Sequence, residues 1–89
     1  MDYEWDSTKA KANLRKHLVS FADASLALED PRALTIADPD ASGEQRFISM
    51  GSDPLGRVLV TVFSSRGRRT RIISSRKASR AERRAYESP

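Results

Sequence analysis

Apolar positions along this chain repeat with a helical period up to about residue 31 and with a strand period after it. At the start, residues 2–5 read as a short strand that places Tyr3 and Trp5 on one face. Asp6 has the chemistry of a helix N-cap. In the STKAKANLRKH that follows, Ala10, Asn13, Leu14 and His17 fall at i, i+3, i+4 and i+7, one face of a helix. Ser20 with Asp23 three residues on is a weaker version of a capping box. Phe21, Ala24, Ser25 and Leu28 again share a face, and this second helix is expected to stop at Asp30, because Pro31 drives the residue before it out of helical geometry.

Beyond Pro31 the period shortens. Residues 33–37 are a candidate strand, and PDASGE (39–44) is turn chemistry. Residues 45–50 alternate, with Arg46, Ile48 and Met50 facing one way and Gln45, Phe47 and Ser49 the other. SDPLG (52–56) is a second turn, and RVLVTVF (57–63) is apolar on both faces, as a central strand requires. SSRGR (64–68) reads as a hairpin connection. Residues 70–75 alternate, with Ile72 and Ile73 on opposite faces. Ser79 and Glu82 complete an S-x-x-E capping box, which predicts a last helix from about 80 to 86. The order is strand, two helices, three or four further strands, helix. Short turns between the later strands imply a mainly antiparallel sheet, and the helices must cover a face of it. The expected fold class is α+β, in one domain spanning residues 1–89.

Composition narrows the chemistry. A chain of 89 residues suits one domain and buries a modest fraction of its surface, so a stabilising partner is unsurprising. The absence of cysteine excludes disulfides and thiolate metal sites, and one histidine cannot build a structural zinc site. No metal or other cofactor is expected. No apolar run approaches the roughly 20 residues needed to span a bilayer, and the opening MDYEWD lacks the basic and apolar regions of a signal peptide. The expectation is a cytoplasmic protein with no membrane association.

Charge changes the picture more. The net charge of +4 conceals a division: residues 1–56 carry six basic and ten acidic side chains, and residues 57–89 carry ten basic and two acidic. In RGRRTRIISSRKASRAERRAY (66–86), nine residues are Lys or Arg, and Glu82 is the one acid. Ile72, Ile73 and Tyr86 lie within this stretch, which points to a folded cationic surface and not to a disordered tail. Such a surface attracts polyanions, nucleic acid first, or an acidic protein partner. A solvated charged face is the plainer alternative.

The four glycines at 43, 51, 56 and 67 form no phosphate-cradling loop. His17, with Lys16 beside it, is either a partly buried imidazole making one hydrogen bond or a general base or acid, since imidazole titrates near neutral pH. Arg71 and Arg76 would face opposite ways on an unbroken strand, so one of them should point to the helix side unless the strand ends before Arg76. An arginine beside a sheet core, Arg46 included, is either paired with a carboxylate or aimed at a phosphate. Glu82 and Tyr86 share a helix face. The capping box is a sufficient role for Glu82, while Tyr86 is core, a stacking platform or a hydroxyl donor.

Taken together, EWDSTKAKANLRKH, VSFADA, EDPRAL, GEQRF and RIISSRKASRAERRAYE resemble the BrnT-type toxins of type II toxin–antitoxin systems, over almost the full chain and in the family's order. Leu18 stands where that family carries a small residue or glycine, and Ser75 where alanine is frequent. The resemblance implies a RelE-like fold, a ribonuclease that needs no metal, and a ribbon-helix-helix antitoxin of the BrnA type whose complex with the toxin binds operator DNA. Under that reading Arg46, Arg71 and Arg76 bind the reacting phosphate. His17 transfers protons, with Glu82 or Tyr86 as the next candidates. Lys16, Arg66, Arg68, Arg69, Lys77, Arg80 and Arg83 contact RNA. The competing readings are a basic nucleic-acid-binding module that cuts nothing, and an interaction protein that docks an acidic peptide.

Overall fold

The helix signals in the sequence act locally as written. In the computed structural model of this chain, which describes residues 2–88, Asp6 accepts a hydrogen bond from the Thr8 amide at 2.8 Å and opens α1 (Ser7–His17). Ser20 accepts from the Asp23 amide at 3.0 Å and opens α2 (Phe21–Leu28). Ser79 and Glu82 form the full reciprocal box at the start of α3 (Arg80–Glu87). Between α1 and α2 the chain turns at Leu18, which caps α1 in the left-handed region at φ 59°. That conformation is strained for a residue with a Cβ.

The strands are β1 (Asp2–Glu4), β2 (Leu34–Ala37), β3 (Arg46–Ser52), β4 (Val58–Arg66) and β5 (Arg69–Lys77), in the order β1-β5-β4-β3-β2. Among the described residues only the β1–β5 pair is parallel. The fold is therefore α+β with four strands after the helices, as the pattern predicts. The β4–β5 hairpin is tighter than SSRGR suggested, because pairing runs out to Arg66 and Arg69 and leaves two turn residues. Gly67 takes the first turn position at φ 58°, the mirror-image geometry that suits the twist of a hairpin.

α1 and α2 cover one face of the sheet. Val19 and Ala27 pack on Leu59, while Phe21 and Ala24 pack on Ile72, with Tyr3, Ala10 and Leu28 around them. Trp5 meets Phe21 edge-on at 5.9 Å but remains 38% exposed, so it closes the rim of the core and is not its centre. α2 lies so close to β3 that a Cβ on Gly51 would sit 2.2 Å from the Ala27 carbonyl oxygen. Arg57 ties the α1–α2 junction to the β3–β4 turn. It donates to the Leu18 carbonyl at 2.8 Å and to Asp53 at 2.8 Å, and pairs with Asp23 at 3.2 Å.

One feature of β5 is not visible as alternation. Val62 pairs with Ser74 and Phe63 with Ile72, so Ile73 has no partner opposite it. This one-residue bulge reverses the parity of the strand. Arg71 (opposite Ser64) and Arg76 (opposite Val60) consequently fall on the same face, the one that α1 and α2 leave uncovered. The expectation that they face opposite ways assumed an unbroken ladder, and the bulge corrects it without ending the strand.

Gly51→Ala is expected to destabilise the protein by about 1–3 kcal/mol through overpacking against α2. Leu18→Gly is expected to stabilise it by up to ~1 kcal/mol by relieving the left-handed cap. Urea unfolding midpoints check both, and the opposite order of the two variants would contradict the account.

Candidate active site

Cross-strand pairs share a face, so the register lays out the uncovered side of the sheet in rows. The first is Leu34, Met50, Val60 and Arg76, and the second is Ile36, Ile48, Val62 and Ser74. The third is Arg46, Ser64, Arg71 and Glu4. The first two rows, joined by His17, Ser75 and Glu82, line a cavity of about 490 Å³. Its floor is aliphatic, and its polar groups gather at the β5 end.

His17 reaches that end because of Asn13, one turn earlier. The Asn13 amide group donates to the Ser75 carbonyl at 2.8 Å and to the Val19 carbonyl at 3.0 Å, and its oxygen accepts from the Ser75 amide at 3.1 Å. β1 pairs with β5 only as far as Arg71, so further along the edge of β5 the helix side chain takes the place of a neighbouring strand. This anchors the end of α1 beside Ser75 and Arg76. His17 is half-buried there and makes no hydrogen bond to the protein among the described residues. Of the two readings offered for it, the structural hydrogen bond is not present.

Arg76 forms a two-pronged pair with Glu82, its two terminal nitrogens lying 2.8 and 2.9 Å from the two carboxylate oxygens. One of those nitrogens also donates to the Lys77 carbonyl at 3.3 Å. The Glu82 carboxylate accepts as well from the Ser79 amide at 2.8 Å. The hydrogen bonds from Arg76 and then from Ser79 pull the Glu82 carboxyl down to about 2, so it is ionised at neutral pH. The same pair pushes the Arg76 guanidinium above its usual value. Glu82 thus orients a permanent cation. It has no proton to give at neutral pH.

Tyr86 is not in the cavity. Its hydroxyl donates to Asp30, whose carboxylate also accepts from the Ser52 amide at 2.8 Å and the Arg32 amide at 2.9 Å. Burial would raise the Asp30 carboxyl, but the bonds from Tyr86, Ser52 and Arg32 outweigh it and hold it below the ordinary range. The bond to Asp30 raises the Tyr86 phenol in turn. The Arg32 guanidinium lies 5.7 Å from the centre of the Tyr86 ring. Tyr86 therefore fastens the far end of α3, a helix with no buried residue, and Arg76–Glu82 fastens the near end.

The other candidates divide. Arg46 and Arg71 share the face of Arg76 but lie in the third row, outside the cavity, next to Glu44 at 3.6 Å and Glu4 at 2.8 Å. All three arginines thus have a carboxylate neighbour. Lys16, Lys77, Arg80 and Arg83 are exposed around the His17–Arg76 end, next in sequence to His17, Arg76 and Glu82 or on α3. Arg66, Arg68 and Arg69 are exposed at the β4–β5 hairpin, the opposite end of those strands. Asn13 and Arg57 carry the architecture of the site without having been singled out. The available signal for Asn13 was a poor helix former set among apolar residues on the buried face of α1. Among the described residues no cluster of three or more His, Asp or Glu side chains is arranged to hold a metal ion, and no helix is long and apolar enough to cross a membrane.

The chain is a small α+β domain whose sheet face, left uncovered by α1 and α2, is rimmed by cations and carries the one histidine at its edge, a surface suited to a polyanion or an acidic partner. The model of the family "Ribonuclease toxin, BrnT, of type II toxin-antitoxin system" matches residues 5–82. The chain belongs to this BrnT family of ribonuclease toxins, which implies an RNA target and an antitoxin partner. The 1.1 Å crystal structure of the Brucella abortus ribonuclease toxin BrnT is similar, with a TM-score of 0.70 and 25% sequence identity over 90% of this chain and 99% of that one. No curated protein matches.

A side-chain carboxyl titration by NMR is expected to place Glu82 near 2. Because the folded value is depressed, the stability this pair lends α3 is present above the ordinary value of 4.5 and is lost as pH falls through about 2. Arg76→Ala is expected to return the Glu82 midpoint most of the way to 4.5. An unmoved midpoint would contradict the pairing.

Proposed function

We propose that this chain is a metal-independent endoribonuclease toxin acting in the cytoplasm, with its chemistry at the His17–Arg76 end of the cavity. A ribbon-helix-helix antitoxin neutralises it, and the complex binds operator DNA. The observation that carries the nuclease reading is the meeting of the chain's one imidazole with an oriented guanidinium at the polar end of an otherwise apolar cavity.

His17 takes the proton of the ribose 2′-hydroxyl, and the oxygen attacks the adjacent phosphorus. The bond from phosphorus to the 5′-oxygen breaks, leaving a 2′,3′-cyclic phosphate and a 5′-hydroxyl that takes its proton from solvent. Glu82 occupies the terminal edge of Arg76, so the edge bearing Nε is the one presented to the phosphate oxygens, where charge builds in the transition state. Glu82 acts through Arg76, and Tyr86 acts through the position of α3. The aliphatic floor offers a place for a nucleobase out of water. Lys16, Lys77, Arg80 and Arg83 supply attraction for the flanking backbone.

His17→Ala is expected to lower kcat by at least about tenfold on single-stranded RNA in EDTA, with the unfolding midpoint unchanged. Wild-type products are expected to end in cyclic phosphate. Full activity in a folded His17→Ala protein removes His17 from the reaction. RNA that the wild type binds but leaves intact favours a binding module instead.

A further inference from the structure

We propose that Arg46, Ser64 and Arg71 form a second phosphodiester-binding site, separate from the reacting centre, which holds a backbone phosphate that flanks the one being cleaved. The inference rests on the ribonuclease reading above and deepens it. These three residues are direct cross-strand neighbours on β3, β4 and β5 and lie on the same face as the cavity. Ser64 stands between the two arginines and is 1% exposed, yet among the described residues its hydroxyl has no hydrogen-bond partner. The Arg46 Nε is also buried without a partner among the described residues. Two buried donors left unmatched side by side is an uncommon arrangement in a folded protein, and an anionic oxygen is the acceptor that a guanidinium and a hydroxyl bind best.

The carboxylates nearby do not use up these donors. Glu44 approaches one Arg46 nitrogen only to 3.6 Å, and Glu4 takes one nitrogen of Arg71 at 2.8 Å. Each fork therefore keeps free N–H groups, in contrast to Arg76, whose terminal nitrogens are both engaged by Glu82. The next pair along the hairpin, Arg66 opposite Arg69, adds cationic charge on the same side. Arg46 and Arg71 oppose Ser64 of β4, and Arg76 opposes Val60, four residues away, which at ~3.3 Å per residue is about 13 Å along the strand. One phosphate cannot occupy both places, but a single RNA strand laid along β4 reaches both with different phosphates.

The test uses the full chain with two RNAs, a long single-stranded oligonucleotide and a dinucleotide, together with a 2′-O-methyl copy of the long one that cannot be cleaved. Arg46→Ala and Arg71→Ala are each expected to raise KM for the long RNA by about tenfold with kcat little changed. That effect is expected to shrink on the dinucleotide, which is too short to span the two places. On the 2′-O-methyl strand, each variant is expected to weaken binding and to reduce the slope of log K against log salt by about 0.7. Ser64→Ala leaves both ion pairs intact and is expected to weaken binding in the same direction, so it decides the matter if an arginine variant fails to fold. Unchanged binding of the 2′-O-methyl strand by the folded variants overturns the proposal. So does a fall in kcat on the dinucleotide, which would move the arginines into the reacting centre. Should the wild type cut nothing while these variants still lose affinity and salt slope, the nuclease reading fails and the phosphate site stands.

Discussion

The side chain of Asn13 is the constraint on which the rest of the arrangement depends. β1 is too short to pair with the whole of β5, so beyond Arg71 the edge of a central element of the sheet would be left open. Asn13 closes it with a donor and an acceptor on Ser75, and uses the same amide nitrogen on Val19. Asn13 and Ser75 are both buried, so losing the amide would strand their partners away from water at about 1–3 kcal/mol for each unmatched group. The clasp sets how far along β5 the first helix ends. Because His17 follows Asn13 by one turn, it also sets the imidazole beside Arg76. The stability of the fold and the placement of the His17 imidazole rest on the same three hydrogen bonds.

The division of charge along the chain takes on a different meaning in three dimensions. Carboxylates of the acidic half are spent on arginines of the basic half: Glu4 on Arg71, and Asp23 and Asp53 on Arg57. Asp30 holds α3 through Tyr86. These pairs are half-buried, with the Asp53 carboxylate buried outright, and they fix the direction of the arginines they hold. Among the basic side chains of residues 57–89, those left without a carboxylate gather at the hairpin carrying Arg66 and Arg68 and around α3, the two ends of the uncovered sheet face. A strand of RNA crossing that face would meet cations at both ends, with an aliphatic floor between them.

Periodicity alone carried most of the architecture. The three N-caps, both turns after β2 and β3 and the apolar central strand β4 follow from residue type and spacing, because each depends on contacts within a few residues. The parts of the site that lie within one element were equally legible. Glu82 reads as a capping-box residue, and it is one. What sequence reasoning missed involves residues far apart in the chain: the Asn13 clasp spans 62 positions and the Arg57–Leu18 bond spans 39. Tyr86 shares a helix face with Glu82 but is directed to Asp30, 56 positions away, a partner that no local pattern announces.

The sequence by itself determined an α+β chain with a basic second half, one imidazole and no means of building a thiolate site, since these follow from composition and from forces acting over a single turn or strand. Which groups meet was decided only by tertiary structure. The bulge at Ile73 turned Arg71 onto the face of Arg76, the register of β3 against β4 set Arg46 beside Ser64, and the edge of β5 captured Asn13 and brought His17 with it. Each of these is a choice among pairings that local propensity leaves nearly equal in energy. Burial of one sheet face beneath two helices settles it, because a shift of one residue in register would exchange the buried and exposed sets.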